Sequence, residues 1–475
     1  TLIAFPLGNM IRSSYTIPAT VKSIGSGAFQ EATYLTSITI PESVVSIGSN
    51  AFLLTGLEIV YANETAVENI QLTYGTNNTI GGKEGVNIVS YYPTIFNEGF
   101  NTERIIEIVG ELSQASYTDK GIVTSIIRTI KIGSNVTSIE SGAFQGATSL
   151  TEFTVFTDIN GYYYYYKDID GVLFDKSGEN LIAYPLGNAR SSYTIPETVT
   201  DIKEYAFQGA TYLTEIDIPD GVTSIGTYAF KGVTALTSID IPSSVTSIGS
   251  YAFQGVTALT SIDIPSSVTS IGSYAFQFAE NLSSVTFETN SSLNNIGSMA
   301  FYKAIALTSI TIPENLASIG SNAFGRASSL TDITVDASNN HYKDISGVLF
   351  DSSAENLIAY PLGNARSSYT IPSSITDIKE DMFDFATYLT EIIIPNSVVS
   401  IGSSAFSNML ELTSVTFAAD SSLNIINNSL FTNSKKMTHI TIPKKVTTIG
   451  TNAFAWLNNL SSVIFEADSK LESIG

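Results

Sequence analysis

The sequence contains no cysteine, so neither a disulfide framework nor thiol chemistry is available to it. Its two histidines, His341 and His439, lie far apart, and no HExxH, GxSxG, P-loop or GxGxxG motif occurs. No apolar run approaches the roughly 18 residues that a membrane-spanning helix needs. These absences argue against the common hydrolase and nucleotide-binding classes and against membrane insertion within these 475 residues. We predict no cofactor, no metal and no enzymatic activity.

Positive charge is also scarce. The chain has 22 basic and 44 acidic residues, which gives a formal net charge of −22. Nucleic-acid binding needs basic patches that displace counterions, and docking on anionic lipid needs them too. The composition therefore argues against nucleic acid and anionic lipid as partners and leaves basic or neutral partners open.

What the sequence has in abundance is one repeated unit. The segment Leu236–Ala258 is LTSIDIPSSVTSIGSYAFQGVTA, and Leu259–Asn281 repeats its first 19 residues without change. The phenylalanines at the end of successive units are 23 residues apart, at Phe207, Phe230, Phe253 and Phe276. A period of 20–29 residues with LxxIxI spacing is typical of a leucine-rich-repeat solenoid.

Within one unit, the alternation of polar and β-branched residues predicts a strand over Ser238–Ile241 that has its isoleucines inward. Pro242 ends this strand because it has no N–H to donate. We predict that Gly249 supplies a backbone conformation that a β-carbon would hinder, and that Phe253 fills the wide side of the coil. One coil cannot bury enough apolar surface to fold alone, so the repeated Ile, Leu and Phe residues are interpreted as core.

The pattern LxxIxIPxxVxxIGxxAF, kept through Leu213–Phe276, resembles the BspA-like leucine-rich repeats of bacterial and protist surface proteins. The resemblance covers about four-fifths of the chain and implies a secreted or surface-displayed protein that binds host proteins, extracellular matrix or other cells. Members of that family often carry cysteine after the AFxx segment. This chain has small apolar residues there, at Ala32, Ala147, Ala210, Val233 and Val256.

We predict a right-handed, β-rich leucine-rich-repeat solenoid that has coils of about 23 residues and short parallel strands on one face. Residues 1–52 hold a truncated first unit and regular coils, residues 53–129 hold degenerate repeats with an irregular insertion, and residues 130–475 hold regular coils. All three belong to one continuous solenoid in this prediction. Strands are predicted in the irregular region at Gln71–Tyr74, Val86–Tyr91 and Arg104–Val109.

Two larger units interrupt the regular coils near residues 158–190 and 338–366. Each contains Gly-Val-Leu-Phe-Asp, a polar turn and then Leu-Ile-Ala-Tyr-Pro-Leu-Gly-Asn, which predicts a β-hairpin island. The chain also begins inside this last motif, with TLIAFPLGN, and stops inside another, with LESIG. This predicts a fragment of a longer protein whose targeting and anchoring segments lie elsewhere.

The outward positions of the strand face are the first candidate for a binding site. Near the middle of the chain they form an acidic patch of four residues, Glu215, Asp217, Asp240 and Asp263. Aspartates stacked at about the 4.8 Å strand spacing repel one another. This favours a basic protein partner or an oxygen-liganded cation such as calcium, and the alternative is a solvated face left by repeat duplication.

The second candidate is a run of five tyrosines, Tyr162, Tyr163, Tyr164, Tyr165 and Tyr166. In a strand, at least two of them must face outward, where an aromatic ring with a polar tip suits contacts with protein or sugar. The alternative is that they cover the apolar flank of the island. The second island has Asn340–Tyr342 at this place, so the run is not needed for the fold.

These features predict a cell-surface or secreted adhesion module that uses the strand face and the island hairpins to bind host or extracellular-matrix proteins. A carbohydrate-binding module and a structural spacer that displays another domain are the alternatives. A β-helix polysaccharide enzyme is a weaker rival, because its acidic cluster would need a nearby Lys, Arg or His, and the Asp217–Asp263 face has none.

Overall fold

The computed structural model describes residues 14–41, 43–48, 50–53, 127–133, 136–157 and 161–475. It also gives the backbone of four strands, Ile59–Ala62, Gly75–Ile80, Lys83–Ser90 and Ile105–Ile108. The chain forms two compact units, Thr1–Asn188 and Ala189–Gly475. The described residues form strands and turns and no helix. The predicted strand Gln71–Tyr74 lies outside the described residues.

A regular coil contains two strands, as the coil that starts at Ser261 shows. Ser261–Ile264 alternates exposed and buried side chains, and Pro265 follows it as predicted. The Val268 N–H donates to the Pro265 carbonyl at 3.1 Å and closes a turn. A second strand of two residues, Ser270–Ile271, follows and was not predicted.

The longer strands of the second unit form the first strand row. The strands pair in parallel in groups of two or three, so that Ser192 lies beside Glu215 and Ser309 beside Asp332. The strands of this row are Ser192–Thr194, Glu215–Asp217, Ser238–Ile239, Ser261–Ile264, Ser284–Phe287, Ser309–Ile312, Asp332–Val335, Ser368–Thr370, Glu391–Ile394, Ser414–Phe417, His439–Ile442 and Ser462–Phe465.

The two-residue strands of the same unit form the second strand row. These strands also pair in parallel with the equivalent strand of the next coil, as Ile225 does with Ile248 and Ile248 with Ile271. The strands of this row are Asp201–Ile202, Ser224–Ile225, Ser247–Ile248, Ser270–Ile271, Asn295–Ile296, Ser318–Ile319, Asp377–Ile378, Ser400–Ile401, Ile425–Ile426, Thr448–Ile449 and Ser473–Ile474.

The first unit has the same two kinds of strand. Its longer strands pair in parallel from Ser14–Thr16 through Ser37–Ile40 and Ile59–Ala62 to Lys83–Ser90, and Gly75–Ile80 lies antiparallel against the last of these. A separate sheet joins Ile105–Ile108, Thr129–Ile132 and Glu152–Val155. The two-residue strands are Ser23–Ile24 and Ser46–Ile47. Strands therefore occur at the predicted Val86–Tyr91 and Arg104–Val109, with slightly shifted ends.

Each island is a three-stranded antiparallel meander. The predicted hairpin is present as Val172–Asp175 with Asn180–Ala183, and as Val348–Asp351 with Leu357–Ala359. A third strand, which was not predicted, precedes each hairpin at Tyr166–Ile169 and Tyr342–Ile345.

A single carboxylate organises the polar turn of each hairpin. Asp175 accepts hydrogen bonds from the backbone N–H groups of Gly178 and Asn180 and from the side chains of Ser177 and Asn180. Burial raises the pKa of the Asp175 carboxyl, but these hydrogen bonds outweigh burial and hold the pKa below its usual value. Asp351 makes the equivalent set of bonds in the second island.

The core is a stack of aromatic and aliphatic side chains that repeats with the coil. The rings of Phe207, Phe230, Phe253, Phe276 and Phe301 are fully buried. Successive ring centroids lie 5.1, 5.1, 5.2 and 5.3 Å apart, with nearly parallel planes. The predicted role of the phenylalanines as the filling of the coil is therefore confirmed.

The glycine of the IG pair has a different role from the one predicted. Gly249 does not have a positive φ. A β-carbon at this position would lie 2.6 Å from the Thr227 backbone nitrogen and 2.7 Å from the Gly226 carbonyl carbon. Glycine is therefore required because the backbone of the preceding coil passes against it, and the prediction of a special local conformation was wrong.

Candidate functional site

The four residues of the acidic patch are exposed side by side on the first strand row. Glu215 and Asp217 flank the buried Ile216 on one strand, and Asp263 lies two coils further along. The pairing of Glu215 with Ser238 and of Ile216 with Ile239 brings Asp240 next to Asp217 in register. Thr286 of the following coil donates a hydrogen bond to Asp263. The structure thus brings the four predicted residues onto one face.

No cation neutralises this patch within the described part of the chain. The salt bridges of the described residues involve other carboxylates, those of Asp201, Asp384, Glu411 and Asp420. The three stacked aspartates do not converge on one point, since no group of three acidic or histidine side chains among the described residues could hold a metal ion. The patch is therefore an open row of negative charge, which suits a broad basic surface better than a single ion.

The strand that leads to Asp240 is shorter than the strand of the same sequence one coil later. The segment SIDIPSS occurs twice, and its strand extends from Ser261 to Ile264 in one coil but stops at Ile239 in the other. Asp240 has an aspartate on both sides in the stack, whereas Asp263 has Asp240 on one side and Thr286 on the other. Repulsion between like charges is therefore greatest at Asp240, where the strand has already ended.

We expect Asp240→Asn to stabilise the protein by about 0.5 kcal/mol at low ionic strength, because it removes the repulsion of Asp240 with both neighbouring aspartates. Urea denaturation at low and high salt measures this effect, which should shrink as salt screens the charges. Asp220→Asn, at an exposed turn outside the row, is the matched control and should leave stability nearly unchanged. A loss of stability in the Asp240 variant would contradict the interpretation of the patch as a repulsive row.

The tyrosine run divides between core and solvent. Tyr163 and Tyr166 pack against the core of the first unit, whereas Tyr162, Tyr164 and Tyr165 are exposed. Burial, followed by the charge of Asp168, raises the pKa of Tyr163. Burial also raises the pKa of Tyr166, and a backbone hydrogen bond opposes that increase. Three rings are therefore exposed to solvent, and two pack against the core of the first unit.

Sequence reasoning missed one set of exposed tyrosines. Tyr212 and Tyr388 are 55% and 51% exposed. Each lies in the turn just before the second first-row strand that follows an island. Tyr34, 61% exposed, occupies the same place after the TLIAFPLGN segment. Other coils of the second unit have smaller residues there, at Ala235, Ala258, Asn281, Ala306 and Ser329.

The register explains why the ring of Tyr212 is uncovered. Thr214 donates its hydroxyl to the Ser191 carbonyl at 3.0 Å, and Thr237 donates to the Thr214 carbonyl at 3.1 Å. The second bond places Ala235 beside Tyr212 in the next coil. An aromatic ring next to an alanine projects above this neighbour, and Glu215 follows three residues later at the edge of the acidic patch. Such a ring can serve as a binding anchor.

None of the described segments forms a helix of the length and apolarity that crossing a bilayer requires.

Comparison with known families gives a match along most of the chain. A model described as a BspA-type leucine-rich repeat region, in six copies, matches residues 8–78, 86–190, 183–292, 246–361 and 363–475. A comparison with curated proteins gives no match.

Several solved structures are similar to this chain. A leucine-rich cell surface protein from Faecalibacterium prausnitzii is 25% identical, with 81% of this chain and 90% of that chain covered and a TM-score of 0.47. The pneumococcal vaccine antigen PcpA is 21% identical over 80% of this chain and 82% of its own, with a TM-score of 0.49. A leucine-rich-repeat protein from Eubacterium ventriosum is 24% identical over 64% and 83%, with a TM-score of 0.47.

Proposed function

The chain belongs to the family of BspA-type leucine-rich-repeat regions, and from that membership we propose that it is a surface-displayed or secreted module that binds another protein. A repeat scaffold of this kind holds outward side chains in fixed register while its core residues stay the same. The proposed partner is a host or extracellular-matrix protein, and the proposed binding surface is the acidic patch with Tyr212 at its edge.

One observation carries this proposal. Four carboxylates are exposed in register on neighbouring coils, and no cation pairs with them in the described residues. An arrangement of like charges that opposes the stability of the fold is typical of a functional surface. A partner with a basic surface would relieve the repulsion, so binding should be salt-dependent.

Binding to immobilised fibronectin and fibrinogen, measured at two salt concentrations, tests the proposal. The test variant carries Asp217→Asn, Asp240→Asn and Asp263→Asn. We expect it to bind about ten-fold more weakly than the wild type at low salt, because rim charges steer and stabilise a charged complex. The difference in affinity between the variant and the wild type should become smaller at high salt.

The control variant changes three exposed acidic residues off the strand face, Glu197→Gln, Asp220→Asn and Glu280→Gln. It loses the same net charge, so equal weakening in both variants would show a non-specific charge effect and contradict a site on the patch. Absence of binding by the wild type would contradict these matrix proteins as partners.

Carbohydrate binding is the alternative that the exposed rings of Tyr162, Tyr164 and Tyr165 favour, because an aromatic face with a polar tip also suits sugars. In that case a glycan array, rather than the two matrix proteins, would show retention, and the three carboxylates would have little influence on it.

A further inference from the structure

Four tyrosines of the second unit form a second aromatic stack, separate from the phenylalanine core. They are Tyr205, Tyr228, Tyr251 and Tyr274, each two residues before the core phenylalanine of its coil. Successive ring centroids lie 4.8, 4.6 and 4.6 Å apart, and the ring planes differ by 10°, 13° and 7°. The rings are half-buried, so this row is in contact with solvent along its length.

The fold does not require tyrosine at this position. The four residues have φ values of 64°, 60°, 59° and 61°, in the left-handed region where bulky residues are uncommon. Other coils place Gly27, Gly142, Asn322 and Asn452 in the same conformation, as is usual for this region. Tyrosine is thus the less favourable choice for the backbone, and its use in four consecutive coils indicates a role for the side chain.

The backbone fixes the distance between the rings. The Tyr228 N–H donates to the Ser250 carbonyl and the Tyr251 N–H donates to the Ser273 carbonyl, both at 2.9 Å. The ammonium group of Lys231 lies 5.0 Å from the Tyr228 ring centroid and 5.9 Å from that of Tyr251, so a cation–π contact also holds this pair. Neighbouring phenols are therefore held side by side in one molecule, so their coupling does not require two molecules to meet by diffusion.

We propose that this tyrosine row is a site of oxidative cross-linking, at which phenols of successive coils couple to form dityrosine. The co-reactant is a one-electron oxidant, namely a peroxidase acting with hydrogen peroxide. The oxidant removes one electron and one proton from each of two neighbouring phenols, and one molecule of peroxide is reduced to two of water. The two phenoxyl radicals then join through one carbon–carbon bond between ring carbons ortho to the oxygens.

The coupling step is balanced within the pair. After the carbon–carbon bond forms, the hydrogen on each joined ortho carbon shifts to the adjacent oxygen and restores two phenol groups. The ortho carbons adjoin the phenol oxygen, and the rings are partly exposed to solvent. Holding two reactants side by side gives a large effective concentration, which favours coupling within the stack over coupling between molecules.

The structure also provides tyrosines that should not couple in this way. The equivalent residue in the next coil is Ala235 for Tyr212 and Glu411 for Tyr388. Both rings are more exposed than those of the stack, so they are better placed to meet the oxidant but have no phenol in the next coil. They separate the effect of stacking from the effect of exposure.

The test treats the full chain, at low concentration, with horseradish peroxidase and hydrogen peroxide. Dityrosine fluorescence measures total coupling, and mass spectrometry of peptides locates the joined residues. We expect links from Tyr205 to Tyr228, from Tyr228 to Tyr251 and from Tyr251 to Tyr274. Tyr251→Phe keeps an aromatic ring in the stack and should abolish the last two of these links while leaving the first.

Tyr388→Phe is the matched control and should leave the yield of links within the stack unchanged. Circular dichroism of both variants verifies that the coils remain folded. The proposal is overturned if the wild type forms only intermolecular links, if the links join exposed tyrosines such as Tyr212 and Tyr388 instead of the stack, or if Tyr251→Phe does not change the pattern.

Discussion

Replacing Gly272 by alanine is expected to lower the free energy of unfolding by about 3 kcal/mol, the upper part of the usual range for an overpacked site. A β-carbon there would lie 2.4 Å from the Ser250 nitrogen and 2.6 Å from the Gly249 carbonyl carbon. Both atoms belong to the backbone of the preceding coil, so the contact cannot be relieved by rotating a side chain. The two coils must move apart, and the hydrogen bond from the Gly272 N–H to the Ile248 carbonyl lengthens with them.

Gly255→Ala is the matched control, because it tests backbone conformation without a close contact. Gly255 has a φ of +73°, and the nearest heavy atom to an added β-carbon is 4.0 Å away. The same position holds Phe278 and Lys303 in later coils, also with positive φ. We expect a loss of about 1 kcal/mol, typical of a left-handed residue that has a side chain. Chemical denaturation of both variants gives the comparison, and equal losses would contradict the assignment of Gly272 to close approach.

Replacing Arg326 by methionine should lower the free energy of unfolding by about 3 kcal/mol, because it leaves a buried carboxylate without its counter-charge. The Asp384 side chain is only 2% exposed, and the Arg326 Nη2 atom lies 2.8 Å from its Oδ2 atom. The Arg326 Nε atom donates to the same oxygen at 2.8 Å. The guanidinium carbon also lies 4.7 Å from the centroid of the Phe385 ring, which adds a cation–π contact.

The double variant Arg326→Met with Asp384→Asn should recover part of this loss, since it removes the unpaired charge as well. Lys436→Met provides the exposed control, because the Lys436–Glu411 pair is about half exposed on both sides. Its loss should be about 0.5 kcal/mol, as is usual for surface pairs. Thermal or urea denaturation measures all three variants. An Arg326→Met loss no larger than that of Lys436→Met would show that the buried pair does not stabilise the fold.

The period and the inward pattern of the sequence were enough to predict the coil. Ile262 and Ile264 are buried where alternation predicts, Pro265 follows the strand, and the phenylalanines stack. The hairpin of each island was also predictable from two apolar segments around a polar turn. These features depend on residues close in sequence or on a spacing that repeats without change, so one coil explains the others.

The features that were missed depend on contacts between coils. The IG pair in the sequence does not show whether its glycine is needed for a positive φ or for close approach of a neighbouring backbone. The close approach becomes visible only when the coils are stacked. The positive φ values fall instead at residues such as Tyr228 and Gly232, where sequence gives little reason to expect them. The extra island strand Tyr166–Ile169 was hidden because its first residue ends the tyrosine run.

Tyr212 and Tyr388 were missed although the sequence contains their signal. The segment TYLTE occurs once after each island, whereas coils elsewhere have a smaller residue in place of the tyrosine. These tyrosines lie in the turn before the strand, outside the outward strand positions from which a binding face was predicted. The structure shows that this turn presents a side chain to solvent as fully as the strand does.

The hydrogen bonds between coils also determine how the second unit would respond to tension. Each coil is joined to the next at several separate points, among them Thr237 N–H to Thr214 carbonyl, Gly249 N–H to Ile225 carbonyl and Phe230 N–H to Ala252 carbonyl. A load applied at a chain end reaches the outermost coil first and peels its bonds away before the next coil feels it. We expect such a scaffold to unfold in small steps, each of which releases one coil's length of chain and dissipates mechanical work.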